Sequence, residues 1–452
     1  MKITFIGHAS IHVEAQDLSL LCDPVFTDSF CEGLNAFQPP RTLSVGELPH
    51  YDAVFISHRH LDHFDVRSLL SLRRTADVFI PDDHLLYDIL KEIGFQTVTR
   101  LKEWERLNLG TTSFITTPSC NPVPELGIVI CDGSNTFWNQ VDTVSTAQSI
   151  NVVKDNVGEI AYLLAPWQPF LETSLQLSGD VRFPFRLYEA LLHELELVDA
   201  HYVTPGASGL KFIGRAQVLN HVAFPVTPAQ VRRDLESGSA RPPVVLLTTP
   251  GDVAVLENNA VRVERDAAGW VRTAEELSAH TISFCPTAIG GAFQEALGRD
   301  PAELPAAHRW QSLLDAVAAV AAHSAATSLR AWKVVYQLVI EEGGRLYPLW
   351  LNFGAESAAW QLGWSQLRNY TVLVSAELLD RLLATQVSWS YVVTSGEYRR
   401  VDMVYSYWDG LLRRPQDSGE SIVDPLFLVF GGDLDELLLG SLRAELAAAA
   451  AT

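Results

Sequence analysis

The stretch that decides the fold is Ser57–Asp65, "SHRHLDHFD", with three histidines and two aspartates in nine residues. It follows directly on "YDAVFI" (Tyr51–Ile56), a short apolar run that reads as a strand. Past a strand end, residues at i, i+2 and i+5 can converge on a point. His58, His60 and His63 have that spacing, and Asp62 lies between the last two. Imidazole nitrogen and carboxylate oxygen are the usual donors to Zn²⁺ and Fe²⁺. The pattern gives one ion to His58 and His60 and turns Asp62 and His63 toward a second. An ion there would lower the pKa of its water to about 7. The bland alternative is an exposed histidine-rich loop that holds no ion.

Around this motif the first 150 residues alternate short β runs with turns. "KITFIGH", "SIHVEAQ" and "LSLLCDP" read as three successive strands, and "DAVFISH", "ADVFIPD", "GFQTVTRL", "TTSFITT", "GIVICDG" and "NTFWNQVD" continue the series. Residues 65–72 and 84–93 have helical spacing, with Leu85, Leu86, Ile89, Leu90 and Ile93 on one face. Phe185–Val198 is a further amphipathic helix. Strands in number with interspersed helices predict a layered α/β domain. "LESGSARPP" (Leu235–Pro243) reads as a linker. Beyond Pro305, a helix, a hairpin across Gly343-Gly344, the strand "NYTVLVS", a helix over Glu377–Leu383 and the strands of "WSYVVTSGEYRRVDMVYSY" predict a smaller α+β domain. The tail "LAAAAAT" reads as a frayed helix end. The expected division is therefore 1–240 for the metal-binding domain, 241–304 for a β extension and connector, and 305–452 for the second domain.

The chain of 452 residues carries 33 basic and 54 acidic side chains, a net charge of −21. Such a surface argues against non-specific binding to nucleic acid or anionic lipid. No apolar run approaches the roughly 18 residues of a membrane span. The N-terminus enters a strand-like pattern without the cleavage site of a signal peptide, so the expectation is a cytoplasmic protein whose fold starts at residue 1. Its five cysteines are scattered and include no CxxC, which disfavours a disulfide framework or a cysteine zinc site.

"TFIGHASIHVEAQDLSLLCDPVF" (Thr4–Phe26) together with the HxHxDH motif resembles the metallo-β-lactamase superfamily. The resemblance is to the branch that includes N-acylphosphatidylethanolamine phospholipase D and ascorbate-6-phosphate lactonase. It implies an αββα sandwich. It implies that His58, His60, Asp62 and His63 hold metal, that Asp23 supports the loop without ligating, and that Asp142, after the hairpin "GIVICDGSNTFWNQVDT", bridges two ions. His8, in "GHAS", would face the same cavity in a catalytic, substrate-binding or supporting role, and Asp62 would join the catalytic set. The family expects two further histidines. After "TTSFITTP" the chain offers Cys120, Asn121 and, shortly after, Glu125 instead. For the last position, His221 in "NHVAFPVTPAQVRRDL" is the candidate and His201 the competitor.

Three readings of the missing histidine follow. Glu125 or Cys120 replaces it; or the site holds one ion through Asp62, His63, Asp142 and His221; or the site favours iron, which suits carboxylate donors better than zinc does. The expected cofactor is one or two divalent ions, zinc or iron, and the expected partner a small-molecule substrate. Hydrolysis of an ester, lactone, amide or phosphoester is expected. Oxygen chemistry at iron is the alternative, and a degenerate site in a binding or scaffold protein the non-enzymatic one. "AYLLAPWQPFLE" and "TPGASGLKF" loosely resemble the corresponding part of CMP-N-acetylneuraminate hydroxylase, without its Rieske cysteine–histidine pairs. "NYTVLVSAELLDRLLATQVSWSYVVTSGEYRR" loosely resembles a sterol-carrier-like domain. Its aromatic richness predicts a core plus oligomer surface, or an apolar ligand site or lid.

Overall fold

The computed structural model describes residues 1–133, 135–177, 179–239, 241–274, 282–286, 310–321, 326–355, 359–384, 386–430 and 432–450. Two sheets face each other. The first has eight strands in the spatial order Ala260–Glu264, Val253–Glu257, Lys2–Gly7, Ser10–Glu14, Ser19–Cys22, Ala53–Phe55, Asp77–Pro81 and Val98–Leu101. The second has seven, in the order Val244–Val245, Tyr202–Pro205, Tyr162–Ala165, Asn135–Asn139, Leu126–Asp132, Thr112–Pro118 and Arg106–Leu109.

Strand periodicity explains the layering. Side chains alternate between the two faces of a strand. Leu20, Cys22, Ala53, Phe55, Ile128 and Ile130 enter the core between the sheets. Their neighbours Leu21 and Val54 face the helices outside the first sheet, and Val129 faces those outside the second. Helices Val66–Leu70 and His84–Ile93 cover the first sheet. Helices Ala147–Val157, Phe185–Val198 and Pro228–Gly238 cover the second. The αββα sandwich expected from the sequence is the observed architecture. Each fully buried Leu, Ile or Phe contributes about 1.5–3 kcal/mol.

Two boundaries differ from expectation, and the tail, expected as a helix end, is helical as far as Ala450. Residues 235–243 do not separate two units. Helix Pro228–Gly238 buries Leu235, and Val244–Val245 then pairs in parallel with Tyr202–Val203 of the second sheet. The segment 241–304 supplies strands to both sheets, since Val253–Thr4 pairing adds a hairpin to the edge of the first; residues 275–281 and 287–304 of this segment lie outside the described residues. The C-terminal tail belongs to a 17-residue helix, Leu434–Ala450, whose Leu438, Leu439, Leu442 and Leu446 pack on the outer layer of the first sheet.

The remaining residues build a five-stranded sheet in the order Gln361–Leu362, Arg345–Asn352, Val335–Glu342, Tyr370–Ser375 and Tyr398–Asp402. The hairpin across Gly343-Gly344 is present. Both glycines have positive φ, 57° and 78°, which a tight turn requires and other residues resist. "WSYVVT" was expected as strand but forms helix Trp389–Thr394. Ser388 caps it by accepting from Tyr391 N–H, a local signal that outweighs the strand preference of its two valines. This sheet shares one continuous apolar core with the loops of the first domain, including Phe30, Leu34, Phe37, Leu210 and Phe212. Half-buried Glu32 joins the parts by accepting from Ser388 N–H and Oγ–H, both at 2.7 Å, and from the Ser441 hydroxyl.

Candidate metal centre

Each residue of "SHRHLDHFD" has an assignment in the structure. Asp65 is not a ligand. It caps helix Val66–Leu70, accepting from Ser68 N–H at 3.1 Å. Arg59 pairs with Asp83 at 2.6 Å and with Asp435 of the C-terminal helix, so it anchors the loop. Ser57 ties the loop to the second sheet, its carbonyl accepting from Leu126 N–H at 3.1 Å.

Asp23 governs the two imidazoles that flank this anchor. Its carboxylate accepts from Ser57 N–H at 2.7 Å and from Ser57 Oγ–H at 2.8 Å. A hydroxyl has one proton, so Ser57 Oγ must then accept from His58 Nδ1, 2.9 Å away. Asp23 Oδ2 likewise accepts from His63 Nδ1 at 3.0 Å. Both histidines therefore carry their protons on Nδ1 and present Nε2 lone pairs to the cluster, the arrangement in which outer groups orient metal-binding imidazoles.

Those lone pairs meet the predicted carboxylates. His58 Nε2 is 2.9 Å from His60 Nδ1 and 3.9 Å from Asp142 Oδ2. His63 Nε2 is 3.1 Å from Asp142 Oδ2 and 3.7 Å from Asp62 Oδ2. It is buried and makes no aligned hydrogen bond. His8 Nε2 lies 3.1 Å from Asp62 Oδ2. Two overlapping groups result, His8–Asp62–His63 and His58–His63–Asp142, with the donor atoms of each within 4.8 Å of one another.

Electrostatics agree with a cation site. Burial, with His63 and His60 nearby, holds His58 well below the usual imidazole range, in its ligating neutral form. Burial would also lower His63, yet Asp142 and Asp62 together raise it well above that range, so the carboxylates favour a positive charge beside them. Burial alone would raise Asp62, but His63 and His8 outweigh it and hold the carboxyl well below the carboxylate range. An orphaned buried Nε2, converging imidazoles and two carboxylates fit a divalent cation.

Backbone strain supports the same cluster. His8, Asp23 and Val141 all have positive φ, 51°, 42° and 57°. A β-branched residue in that region is a real outlier, and such strain persists where surroundings over-determine it. Val141 packs with Ala9 and Ala207 and so fixes the turn that delivers Asp142. Asp142→Asn should lose more bound metal than Asp142→Glu, because the amide lacks the second anionic oxygen. Equal metal content across wild type and both variants, measured by elemental analysis, would refute a bridging role.

Glu125, Cys120, His221 and His201 join neither three-residue group. Glu125 Oε1 is 3.3 Å from His58 Nδ1, on the side away from the Nε2 that faces Asp142. It belongs to neither three-residue group and contacts the back of His58. Asn121 Nδ2 donates to Glu125 Oε2 at 2.6 Å and to the Asp142 carbonyl at 3.1 Å, so it braces the site. Burial raises Glu125 to about 7 despite hydrogen bonds from Ser119 and Asn121. Cys120 is exposed and lies outside the cluster. His221 ends a 3-10 helix, Gly214–His221, whose Ala216 and Leu219 are drawn into the apolar core, and it joins neither group. His201 is exposed beside Glu159.

The cluster opens into a cavity of about 850 Å³ whose walls include His60, Asp62, Asp142, Trp167, Phe170 and Tyr391. Sequence reasoning assigned no site role to Leu438, Glu172 and Glu194, which contribute to it. Helix Trp389–Thr394 and Leu438 of the C-terminal helix form part of its wall, and Glu172 and Glu194 line it. Glu172 closes the quoted stretch "AYLLAPWQPFLE" and Glu194 lies in helix Phe185–Val198, and the sequence singles out neither. Glu172 Oε2 is buried without a hydrogen-bond partner. Burial first, and then Asp62 and Asp142, raise its pKa.

Burial raises Glu194 to about 7, against hydrogen bonds from Ser145 and Gln140. Its folded pKa thus exceeds its unfolded one. The stability it contributes is fully present below about pH 4.5 and is lost as pH rises through 7. Glu194→Gln should flatten that slope and stabilise the protein at pH 8 by up to about 2 kcal/mol. Parallel denaturation midpoints for both proteins from pH 5 to 8 would count against it.

An αββα sandwich with HxHxDH at a strand end and an aspartate after the opposing hairpin is the architecture of the metallo-β-lactamase fold. Residues 19–154 match the family model described as a β-lactamase superfamily domain. A Mycobacterium tuberculosis protein provisionally named as a Rieske 2Fe-2S iron–sulfur protein is 27% identical over 195 residues, 41% of this chain and 36% of that protein. The chain thus spans about a third of the length of such relatives. A metal-dependent hydrolase of Salinibacter ruber is 27% identical over 216 residues, 45% of this chain and 83% of that one. The structure of CmlA, a diiron β-hydroxylase from Streptomyces venezuelae, is similar with a TM-score of 0.35 and 17% identity, over 46% of this chain and 45% of that chain. No helix among the described residues is long and apolar enough to cross a membrane.

Proposed function

We propose that this protein is a metal-dependent hydrolase acting on an ester, lactone, amide or phosphoester of a small, largely apolar molecule. The observation that carries the reading is the convergence of His58 and His63 Nε2 with His60, Asp62 and Asp142 at the mouth of an apolar cavity. These five residues would hold the cation. When bound, it supplies Lewis acidity and lowers the pKa of water at neutral pH. The chain does the rest. Asp23 and Ser57 keep both Nε2 lone pairs turned inward. The apolar wall, including Trp167, Phe170 and Leu61, would receive the substrate's hydrocarbon and exclude bulk water.

Oxidative chemistry at iron is the second reading. It is favoured by the carboxylates around the cluster, with Glu125 against His58 and Glu172 in the cavity wall, since oxygen donors suit iron. Elemental analysis of protein expressed without added metal, with an ester, lactone and phosphodiester panel, separates the readings. Zinc with hydrolysis supports the first. Stoichiometric iron with oxygen uptake and no hydrolysis replaces it with the second, and no metal at all removes both.

A further inference from the structure

Part of the cavity wall comes from outside the two large sheets and their loops. Helix Trp389–Thr394 divides its side chains between two faces. Trp389 packs on Phe427 at 4.9 Å and on Tyr398 at 6.0 Å, and Val392 is buried in the shared apolar core. Ser390, Tyr391, Val393 and Thr394 line the cavity, together with Leu438 of the C-terminal helix. Glu32, itself in the cavity wall, holds both elements in place. It accepts from Ser388 N–H and Oγ–H at the start of one helix and from the Ser441 hydroxyl, three positions after Leu438, on the other. Tyr391 is the largest of these lining side chains and is 7% exposed. Arg381 donates to its hydroxyl, and the guanidinium carbon lies 4.3 Å from its ring centre. A ring clamped at its hydroxyl and across its face keeps one rotamer, so this wall is rigid.

We propose that the second domain selects the substrate of the first, and that Tyr391 sets the length of the hydrocarbon body the cavity accepts. This rests on the reading above that the substrate's apolar part lies in the cavity, and it adds the residue that limits that part. Each methylene moved from water into an apolar cavity raises affinity by about fourfold. The gain stops where the chain meets a wall that cannot move, because overpacking then costs more than burial contributes. A clamped aromatic ring makes that limit sharp. Trp167 and Phe170, on the first domain's side of the same cavity, suit a hydrocarbon body rather than a polar one.

The test is calorimetric binding of straight-chain primary alcohols, from 1-butanol to 1-dodecanol, to the full chain as purified and after chelation. Wild-type affinity should rise by about fourfold per methylene and then level off at one length. In Tyr391→Ala the rise should continue for at least two further methylenes, so alcohols beyond the wild-type limit should bind at least about tenfold more tightly than they bind wild type. An unchanged length limit in Tyr391→Ala overturns the proposal. So does an equal loss of affinity at every length, which is the mark of a merely structural residue, and so does wild type without any limit. Wild type that binds no alcohol overturns the proposal together with the apolar substrate. A shifted limit with no hydrolysis of the ester panel supports the proposal and overturns the hydrolase reading alone, because alcohol binding to chelated protein needs neither metal nor turnover. If Tyr391→Ala does not fold, the same criterion falls on Tyr391→Leu, where an unchanged limit is the overturning result.

Discussion

His58→Ala and His60→Ala should each strip the protein of bound metal and lower activity by more than about 10³-fold, with the fold intact. A metal Lewis acid contributes several kcal/mol at the transition state, and each 1.36 kcal/mol is a factor of ten. His58 Nε2 and His60 Nδ1 approach to 2.9 Å, so removing either leaves one face of the cluster without its nitrogen pair. The fold should survive, because the strand Ala53–Phe55 is held by its core and the loop by Arg59, Ser57 and Asp65, none of which needs the imidazoles. Elemental analysis with far-UV circular dichroism reads both quantities. Full metal content in a folded His58→Ala protein would remove the ligand assignment.

Asp23→Ala should destabilise the protein by about 3–5 kcal/mol even without metal. It should also weaken metal binding by about 10–100-fold. The side chain is fully buried and accepts from Ser57 N–H, Ser57 Oγ–H and His63 Nδ1–H. Alanine would leave three buried donors without an acceptor and release the tautomers of two imidazoles. Asp23→Asn keeps one acceptor oxygen but turns an NH₂ toward those donors, so its loss should be intermediate. Urea denaturation of chelated and metal-loaded protein separates the two effects. A wild-type midpoint for chelated Asp23→Ala would show that the network carries little stability, and unchanged affinity would show that it does not orient the histidines.

Much of this molecule was legible locally. Helix Phe185–Val198 has the bounds that its apolar spacing predicts, and the strands of the first 150 residues follow their period-two patterns. The linker over 235–243 and the strand over "WSYVVT" were misread for a shared reason. Gly, Ser and Pro mark a turn without saying whether the chain leaves its domain there, and valines prefer strands only until a cap and a core claim them as helix. The substitute donors were harder still. Glu125 lies 17 positions before Asp142 and could be noticed, but which side of His58 it would meet depends on the register of two strands.

The sequence alone determined the sandwich and the central donors, because HxHxDH acts through neighbours within six positions and strand periodicity is a local property. It also determined that no histidine follows "TTSFITTP", where the family expects one. Tertiary structure alone decided that Asp23 sets two tautomers, through Ser57 at 34 positions away and directly on His63 at 40. It alone decided that Glu172 enters the cavity and that the C-terminal helix forms part of the wall. Those outcomes depend on which loops the shared apolar core draws together. A buried carboxylate acquires its meaning only from the charges that this packing sets around it.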